Sequence, residues 1–530
     1  MHLFITFAGE SHTAVKKRPN LDMYPLLKVA VMLVLGIIAG EWWIGVLSVY
    51  VWLAVAAALA VLALLTSRLP TVNSALIGLL VFATGGCLIV RSEDALQVRL
   101  PGVTTYEAVL MTEPVEHGKV VRMDIGVLTA SRPLMVKASL LRDTVEERYR
   151  ELHVGDGIEA SSLLEKPTTA EGAEFDYALW LHRHGFDAAT FIYYKNWKRK
   201  PVRLSSFSLV ERATLRLRRF RSVLEARLKQ NGMSGQDLAV VSAMTLGDRR
   251  LVSKEVKDDY SVSGASHVLA LSGLHLGIIY GILGFFFSVC KGFVPLSGGF
   301  RKAISEFLIM TSVWSYVFLV GFSPSIVRSA IMLTVCSVVS LLHRDRYSVN
   351  TLAFAALLIL SVNPLALFDV GFQLSFAAVL SILLFMPLIY PAVPAAWLQR
   401  HWLLKWLWGM AVVSFSAQLG TAPLVACHFG RFPCYGLLAS FIAIPCATVV
   451  VYGVLLFFAV SPVPFLAAWI GKGISAVSGL MNQSLSWTAS LPGASMEHLH
   501  VSSVQAAVCY VVLFGVWLSG RFFMERMDLR

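Results

Sequence analysis

The chain is short of charge. Only 15% of its 530 residues are Asp, Glu, Lys or Arg, against roughly a quarter in soluble globular domains. Hydrophobic residues make up 56% of the chain and mean hydropathy is +0.67. This deficit excludes an ordinary soluble fold, because the apolar residues fall in runs of about 20, the length that crosses a bilayer. Such runs are stable in lipid as helices, which satisfy their own backbone hydrogen bonds. Cysteine is also sparse. The seven residues Cys87, Cys290, Cys336, Cys427, Cys434, Cys446 and Cys509 lie in or beside apolar segments, with no C-x-x-C spacing and none between 92 and 235. A disulfide framework and a cysteine metal site are therefore not expected, and these are read as core thiols. No G-x-x-x-x-G-K-[ST] loop is present, so any driving ATPase must be a separate protein. The sequence has no tandem repeat and no motif for a cofactor or metal.

The charge that is present is unbalanced, with a net +12 and a pI near 9.4. Excess Lys and Arg in cytoplasmic loops accounts for much of this in a multi-pass protein; binding to a polyanion is the sharper alternative. Lys16, Lys17 and Arg18 precede an apolar run that more runs follow at once, which reads as a retained signal anchor. Apolar segments near 25–40, 45–65 and 74–90 make an N-terminal membrane unit, 1–91. With the basic N-terminus inside, Glu41-Trp42-Trp43 falls on the outer turn, Arg68 on the inner turn, and the next region outside.

That region, 92–200, is soluble in character. Alternating segments at Tyr106–Leu110, Val120–Val127, Leu134–Leu140 and Ile158–Ala160 are separated by turn residues at His117-Gly118, Ser131-Arg132-Pro133 and Val154–Gly157. About five short strands predict a small extracytoplasmic β-barrel, of which the OB-fold is one kind. From about 193 the chain becomes basic, with Tyr193, Tyr194 and Trp197 interleaved with Lys195, Lys198, Arg199 and Lys200. In 201–235, Ala213, Leu217, Phe220, Leu224 and Leu228 form an apolar helical stripe. Arg212, Arg216, Arg218, Arg219, Arg221, Arg227 and Lys229 lie off it. This reads as a basic amphipathic helix on the lipid interface, with the alternative that Arg216 and Arg219 also meet passing phosphates.

From 236 to 520 a second block carries apolar segments near 266–290, 304–321, 326–342, 350–363, 370–390, 406–427, 435–460, 464–490 and 504–520, with 350–363 and 464–490 the weakest. Basic loops at Lys291/Arg301/Lys302, Arg344/Arg346 and Arg400/Lys405 alternate as the positive-inside rule requires, and a short tail, 521–530, is cytoplasmic. Four polar clusters interrupt this block. Ser266–Gly277 brings His267, Ser272 and His275 into an apolar span, with Gly273, Gly277 and Gly281 as small-xxx-small steps for helix packing. Interhelical hydrogen bonding and lining of a conduit are both open readings; a Ser–His hydrolytic pair lacks a nearby acid. Gly321–Arg328 places Arg328 just inside a span, where it snorkels or faces an anion. Asn363–Phe376 puts Asp369 and Gln373 on one face after a Pro/Gly-broken entrance, and Asp369 is a candidate partner of Arg328. Ser416–Leu424 carries Gln418 and Pro423 in a Pro-broken stretch of the kind that marks transport paths.

These clusters resemble those of the ComEC family of bacterial competence proteins. The signature helix, roughly H-L-L-A-I-S-G-L-H, matches His267–His275, after a leucine-glycine-aspartate-arginine stretch at Leu246–Arg249. The later segments match Arg328, Asn363-Pro364 with Gly371–Phe376, and Gln418–Pro423. The form F-D-Y-x-x-Y/W-L-x-x-x-G matches Phe175-Asp176-Tyr177, Trp180-Leu181 and Gly185. The resemblance runs in order over about 25–460 and implies a multi-pass channel of the bacterial cytoplasmic (inner) membrane that imports DNA as a single strand in natural transformation. It further implies an extracytoplasmic OB-like domain, which suits single strands by stacking and backbone charge, with the aromatic and basic stretch at 193–200 as a guide for the strand. Many members carry a metallo-β-lactamase-like domain; no H-x-H-x-D-H motif occurs here, and no nuclease activity is expected. Ser440 and Ile444-Pro445 stand where the family often has an Asn before the proline.

The fold expected is thus a polytopic α-helical membrane protein with an inserted OB-like barrel. On the channel reading, His267, Ser272, His275, Asp369, Gln373, Gln418 and Pro423 line or gate the path, and Arg328 meets phosphate or locks helices. Single-stranded DNA and membrane lipid are the partners, with a separate DNA receptor, nuclease and ATP-driven translocase. The width of a strand calls for a homodimer or a moving gate. The competing readings are a solute or ion transporter, favoured by segment count alone, and an intramembrane enzyme using Ser272 and His275.

Overall fold

The computed structural model describes residues 24–96, 100, 103–129, 133–143, 146–169, 175–202, 207–289, 298–342 and 348–527. Lys16, Lys17, Arg18, Ser131, Arg132, Cys290, Lys291, Arg344, Arg346 and residues 528–530 lie outside these. Helices α1 (Pro25–Trp42), α2 (Val49–Leu65) and α3 (Pro70–Leu96) come first. α1 starts with Pro at its first turn, where a missing N–H costs nothing. Its Gly36 and Gly40 let α3 come so close that a Cβ at Gly36 would overlap the Phe82 carbonyl. Only glycine permits that approach. α3 continues past the boundary expected at 91, to Leu96.

The polar insertion then folds as strands β1 (Val103–Leu110), β2 (Val115–His117), β3 (Val120–Val127), β4 (Leu134–Leu141) and β5 (Gly157–Glu165). Helix α4 (Tyr177–Arg183) precedes β6 (Ala188–Ile192) and β7 (Trp197–Arg199). β1 pairs antiparallel with both β3 and β5, and the order β1-β3-β4-β6-β5 closes on itself, with β4 and β6 parallel. This is the five-stranded Greek-key barrel of an OB-fold. Burial alternates residue by residue along β4 and β5, as a pleated strand with one face on a core requires. Ala108, Val121, Ile125, Val136, Ala138 and Ile158 fill that core.

Ser208 opens α5 (Leu209–Gln230) with a reciprocal capping box to Glu211. Then come α6 (Gly235–Thr245), α7 (Lys254–Val262), the single turn α8 (Ser266–Leu269) and α9 (Gly273–Val289). The remaining long helices are α10 (Gly298–Val320), α11 (Pro324–Leu341), α12 (Val349–Val362) and α13 (Val370–Ile389). The short α14 (Ala395–Arg400) precedes α15 (Trp402–Phe429), α16 (Gly436–Val460), α17 (Pro464–Ser490) and α18 (Ser503–Met527). Among the described residues nine helices are long and apolar enough to cross a membrane, and α2, α9 and α12 are shorter apolar helices. The chain is a multi-pass membrane protein.

Three expectations change. The segment from 266 is not one helix, because extended backbone at Ala270 separates α8 from α9. The 464–490 segment forms a continuous 27-residue helix, whereas 350–363 supplies only the 14-residue α12. Third, α5 buries Thr214, Leu215, Leu224 and Leu228, while Phe220 is half exposed. Its packed face is rotated from the stripe read in the sequence, and Arg218 and Arg221 lie on the packed side. Arg218 donates to the Met111 carbonyl of the barrel at 2.5 Å. Arg221 donates to the carbonyls of Leu246 and Val320, both at 3.2 Å. These half-buried arginines tie α5 to the barrel and to the C-terminal ends of α6 and α10 by charge-assisted hydrogen bonds to backbone carbonyls.

Candidate functional site: a ring of helices joined to a barrel

Helices α9, α11, α13, α15 and α16 close a ring: α9 packs on α11, α11 on α13, α13 on α15, α15 on α16, and α16 back on α9. The four polar clusters all occur on its members or on the turns leading into them.

At α8 and α9, Ser272 precedes the first turn of α9. Its backbone N–H and its hydroxyl both lie 3.2 Å from His275 Nδ1. With Nδ1 accepting from the backbone N–H, the ring proton sits on Nε2. His275 is fully buried and Nε2 has no partner. The carboxylate that orients a catalytic imidazole is therefore missing. His267 differs. Its side chain is exposed and its ring donates to the Gly264 carbonyl at 3.3 Å. Of the packing glycines, Gly273 abuts Ser329, but a side chain at Gly277 would meet open space, so the expected small-residue stripe makes a contact only at its first member of these two.

Arg328, 5% exposed, donates to Asp369 at 3.3 Å. Asp369 also caps α13 by accepting from the Phe372 N–H at 2.7 Å. The break expected at Asn363-Pro364 is present as a 3-10 turn, Pro364–Phe368, before that cap. Gln373 donates to the Leu367 carbonyl at 3.0 Å and pairs with His428 of α15 at 3.1 Å. Gln418 lies against Gly436 at the start of α16. The Pro423 expectation is corrected: α15 runs unbroken through it. The missing hydrogen bond does not end the helix, because its neighbours bury this stretch.

Through α4 and the residue after it, the barrel meets α1, α3 and the start of α13. His182 reaches Glu93 of α3 at 2.7 Å, Arg183 pairs with Glu41 of α1, and His184 reaches Asp369 at 3.4 Å. Arg183 also covers the Phe368 ring at 4.5 Å. The Asp369 hydrogen bond raises the pKa of His184. Thus Arg328, Asp369 and His184 form one chain of polar contacts from α11 through α13 into the barrel. Arg328 serves here to join helices, and its burial leaves no surface for an anion.

The basic aromatic stretch is also reassigned in part. Trp197 is buried in the barrel core, beneath the Arg148 guanidinium, so it cannot stack on a base. Lys198 pairs with Glu159 at 2.7 Å, Arg199 with Asp156 at 3.0 Å, and Lys200 with Glu107 and Glu159 at 2.8 and 2.5 Å. These pairs raise the Lys200 pKa and hold Glu159 below the usual carboxylate range. The sequence shows the bases of β7 but not that β1 and β5 set acids beside them. Tyr193 remains exposed, Lys195 lies over Tyr194 at 5.5 Å, and Arg216 and Arg219 are exposed on α5.

Sequence reasoning missed Glu306 of α10, buried and hydrogen-bonded by Ser337 at 2.6 Å and Tyr280 at 3.1 Å. A lone acid inside an apolar run was the available signal. It also missed Asp237 of α6, which accepts from Asn482 at 2.9 Å and Ser475 at 3.3 Å on α17.

The family described as Competence protein matches residues 244–522, more than half of the chain, and the chain belongs to that family. ComE operon protein 3 of Bacillus subtilis is 28% identical over 347 residues, 65% of this chain and 41% of that protein. Recombination protein 2 of Haemophilus influenzae is 25% identical over 281 residues, 52% of this chain and 34% of that protein. An uncharacterized protein of Aquifex aeolicus is 30% identical over 209 residues, 39% of this chain and 44% of its own length. The chain thus aligns with less than half the length of each of these relatives. No solved structure matches it.

Proposed function

We propose that this protein conducts single-stranded DNA across the bacterial cytoplasmic membrane during natural transformation, acting as a channel and not as an enzyme. The observation that carries the reading is the closed ring of α9, α11, α13, α15 and α16, with all four polar clusters on its members or the turns into them, joined to a barrel of OB topology through the His184–Asp369 contact. OB barrels suit single strands through stacking and backbone charge. Tyr193, Tyr194, Lys195, Arg216 and Arg219 guide the strand; His267, Ser272, His275, Gln373 and Gln418 border or gate its path. Membership of the competence family and relatedness to proteins named for a competence operon and for recombination support the same reading. A separate receptor, nuclease and ATP-driven translocase complete the system, and a homodimer or a moving gate supplies the width.

The test is uptake of labelled DNA in a deletion strain of the host. Loss of cytoplasmic DNA with retention of surface-bound DNA, restored by the wild-type gene and not by His275→Ala, is the expected result. Unchanged import after deletion in a competent host refutes it.

A further inference from the structure

The chain carries a second polar feature at membrane depth, outside the ring. α17 spans 27 residues, about 40 Å of helix, so it overhangs a roughly 30 Å hydrocarbon layer by about 5 Å at each end. Lys472 stands about 12 Å from its first residue, and Gln483 about 10 Å from its last. Both therefore fall inside the hydrocarbon layer. Lys472, Ser475, Gly479 and Gln483 follow one another at helical spacing on one face, and Lys472 and Gln483 are exposed.

This face borders an open cavity of about 390 Å³, flanked on its other side by Gly232 and Asp237 at the foot of the α5–α6 hairpin. The Asn231 carbonyl lies at Gly471, so the hairpin descends from the barrel to the depth of Lys472. It brings exposed Arg227 and Lys229 with it. The Asp237 carboxylate is held by Ser475 and Asn482, and Tyr260 fixes Asn482 at 2.7 Å. Its negative charge is engaged in fastening the hairpin.

Cationic side chains in lipid are costly and occur where water reaches them. From this placement we infer that the cavity is a water-filled phosphate-binding station, in which Lys472 binds a phosphodiester of the passing strand and Gln483 supplies a second polar contact. Arg216, Arg219, Arg227 and Lys229 form the descending approach to it. The inference rests on the proposed function for the identity of the strand, but not for the cavity's being wet.

The test uses the full chain in nanodiscs. Ala476→Cys places a thiol on the cavity wall, and labelling by an anionic, membrane-impermeant thiol reagent is measured above the parent's own labelling. The expected result is reaction that Lys472→Gln slows for the anionic reagent and not for a neutral one, and that Lys472→Arg restores. A single-stranded oligo(dT) protects the thiol, and Lys472→Gln lowers the salt dependence of oligonucleotide binding by about 0.7 in log–log slope. Unchanged size-exclusion behaviour confirms folding of each variant. An unreactive thiol overturns the inference, because the cavity then holds lipid. Protection by anionic lipid in place of oligonucleotide makes the bound phosphate a headgroup and overturns the strand assignment. Failure of the uptake test removes the proposed function without altering the thiol result, so the two failures are separable.

Discussion

Replacing Asp369 tests whether the outer ends of the helices are locked by one charge. Arg328 is 5% exposed, its Nε meets no acceptor among the described residues, and Asp369 is its counter-charge. Breaking a buried pair from one side costs roughly 3–5 kcal/mol, because the remaining charge stays desolvated. The Asp369 side chain is 23% exposed, which places Asp369→Asn near the lower end, about 3 kcal/mol. Asn still caps α13. Asp369→Ala also forfeits the cap on the Phe372 N–H, adding about 1 kcal/mol. In the double variant Arg328→Leu with Asp369→Asn no buried charge is stranded, so it recovers about 2 kcal/mol relative to the sum of the single variants. Thermal unfolding in detergent, followed by circular dichroism, measures the wild type, the single variants including Arg328→Leu, and the double variant. Additive losses in the double variant refute the reasoning and reduce Arg328 to an interfacial cation.

Two further outcomes follow from the barrel. The His184 pKa is raised in the fold by Asp369, so the stability of that contact is full below the ordinary histidine value, about 6.5, and is lost as pH rises through the raised value. Hydrogen exchange of the α4 amides accelerates over that upper range, and His184→Asn flattens the profile; a profile that is flat in the wild type sinks this account. Trp197→Ala destabilises the barrel by about 3–5 kcal/mol, since it empties a core position. Tyr193→Ala leaves the melting temperature unchanged and weakens single-strand binding by about 1–3 kcal/mol, the worth of one stacked base. Reversal of the two phenotypes contradicts the assignment of inward and outward aromatics.

The twelve apolar segments, the five-stranded barrel and the polar clusters were legible in the sequence, because each depends on local periodicity or on the cost of a polar group in lipid. Burial alternates in β4 as its residues alternate, and Asp369 caps α13 where Pro364 and Gly371 bracket it. Composition alone required the membrane.

What each polar residue touches was decided only when distant elements met. Arg328 and Asp369 are 41 positions apart, and His184 comes from another domain. Lys198 and Lys200 read as free bases until β1 and β5 set Glu107 and Glu159 beside them. The α5 stripe in the sequence assumes that arginine seeks solvent, whereas Arg218 and Arg221 find backbone carbonyls in the packed interface. Sequence fixes the price of burying a charge; only the tertiary structure supplies the partner that offsets it.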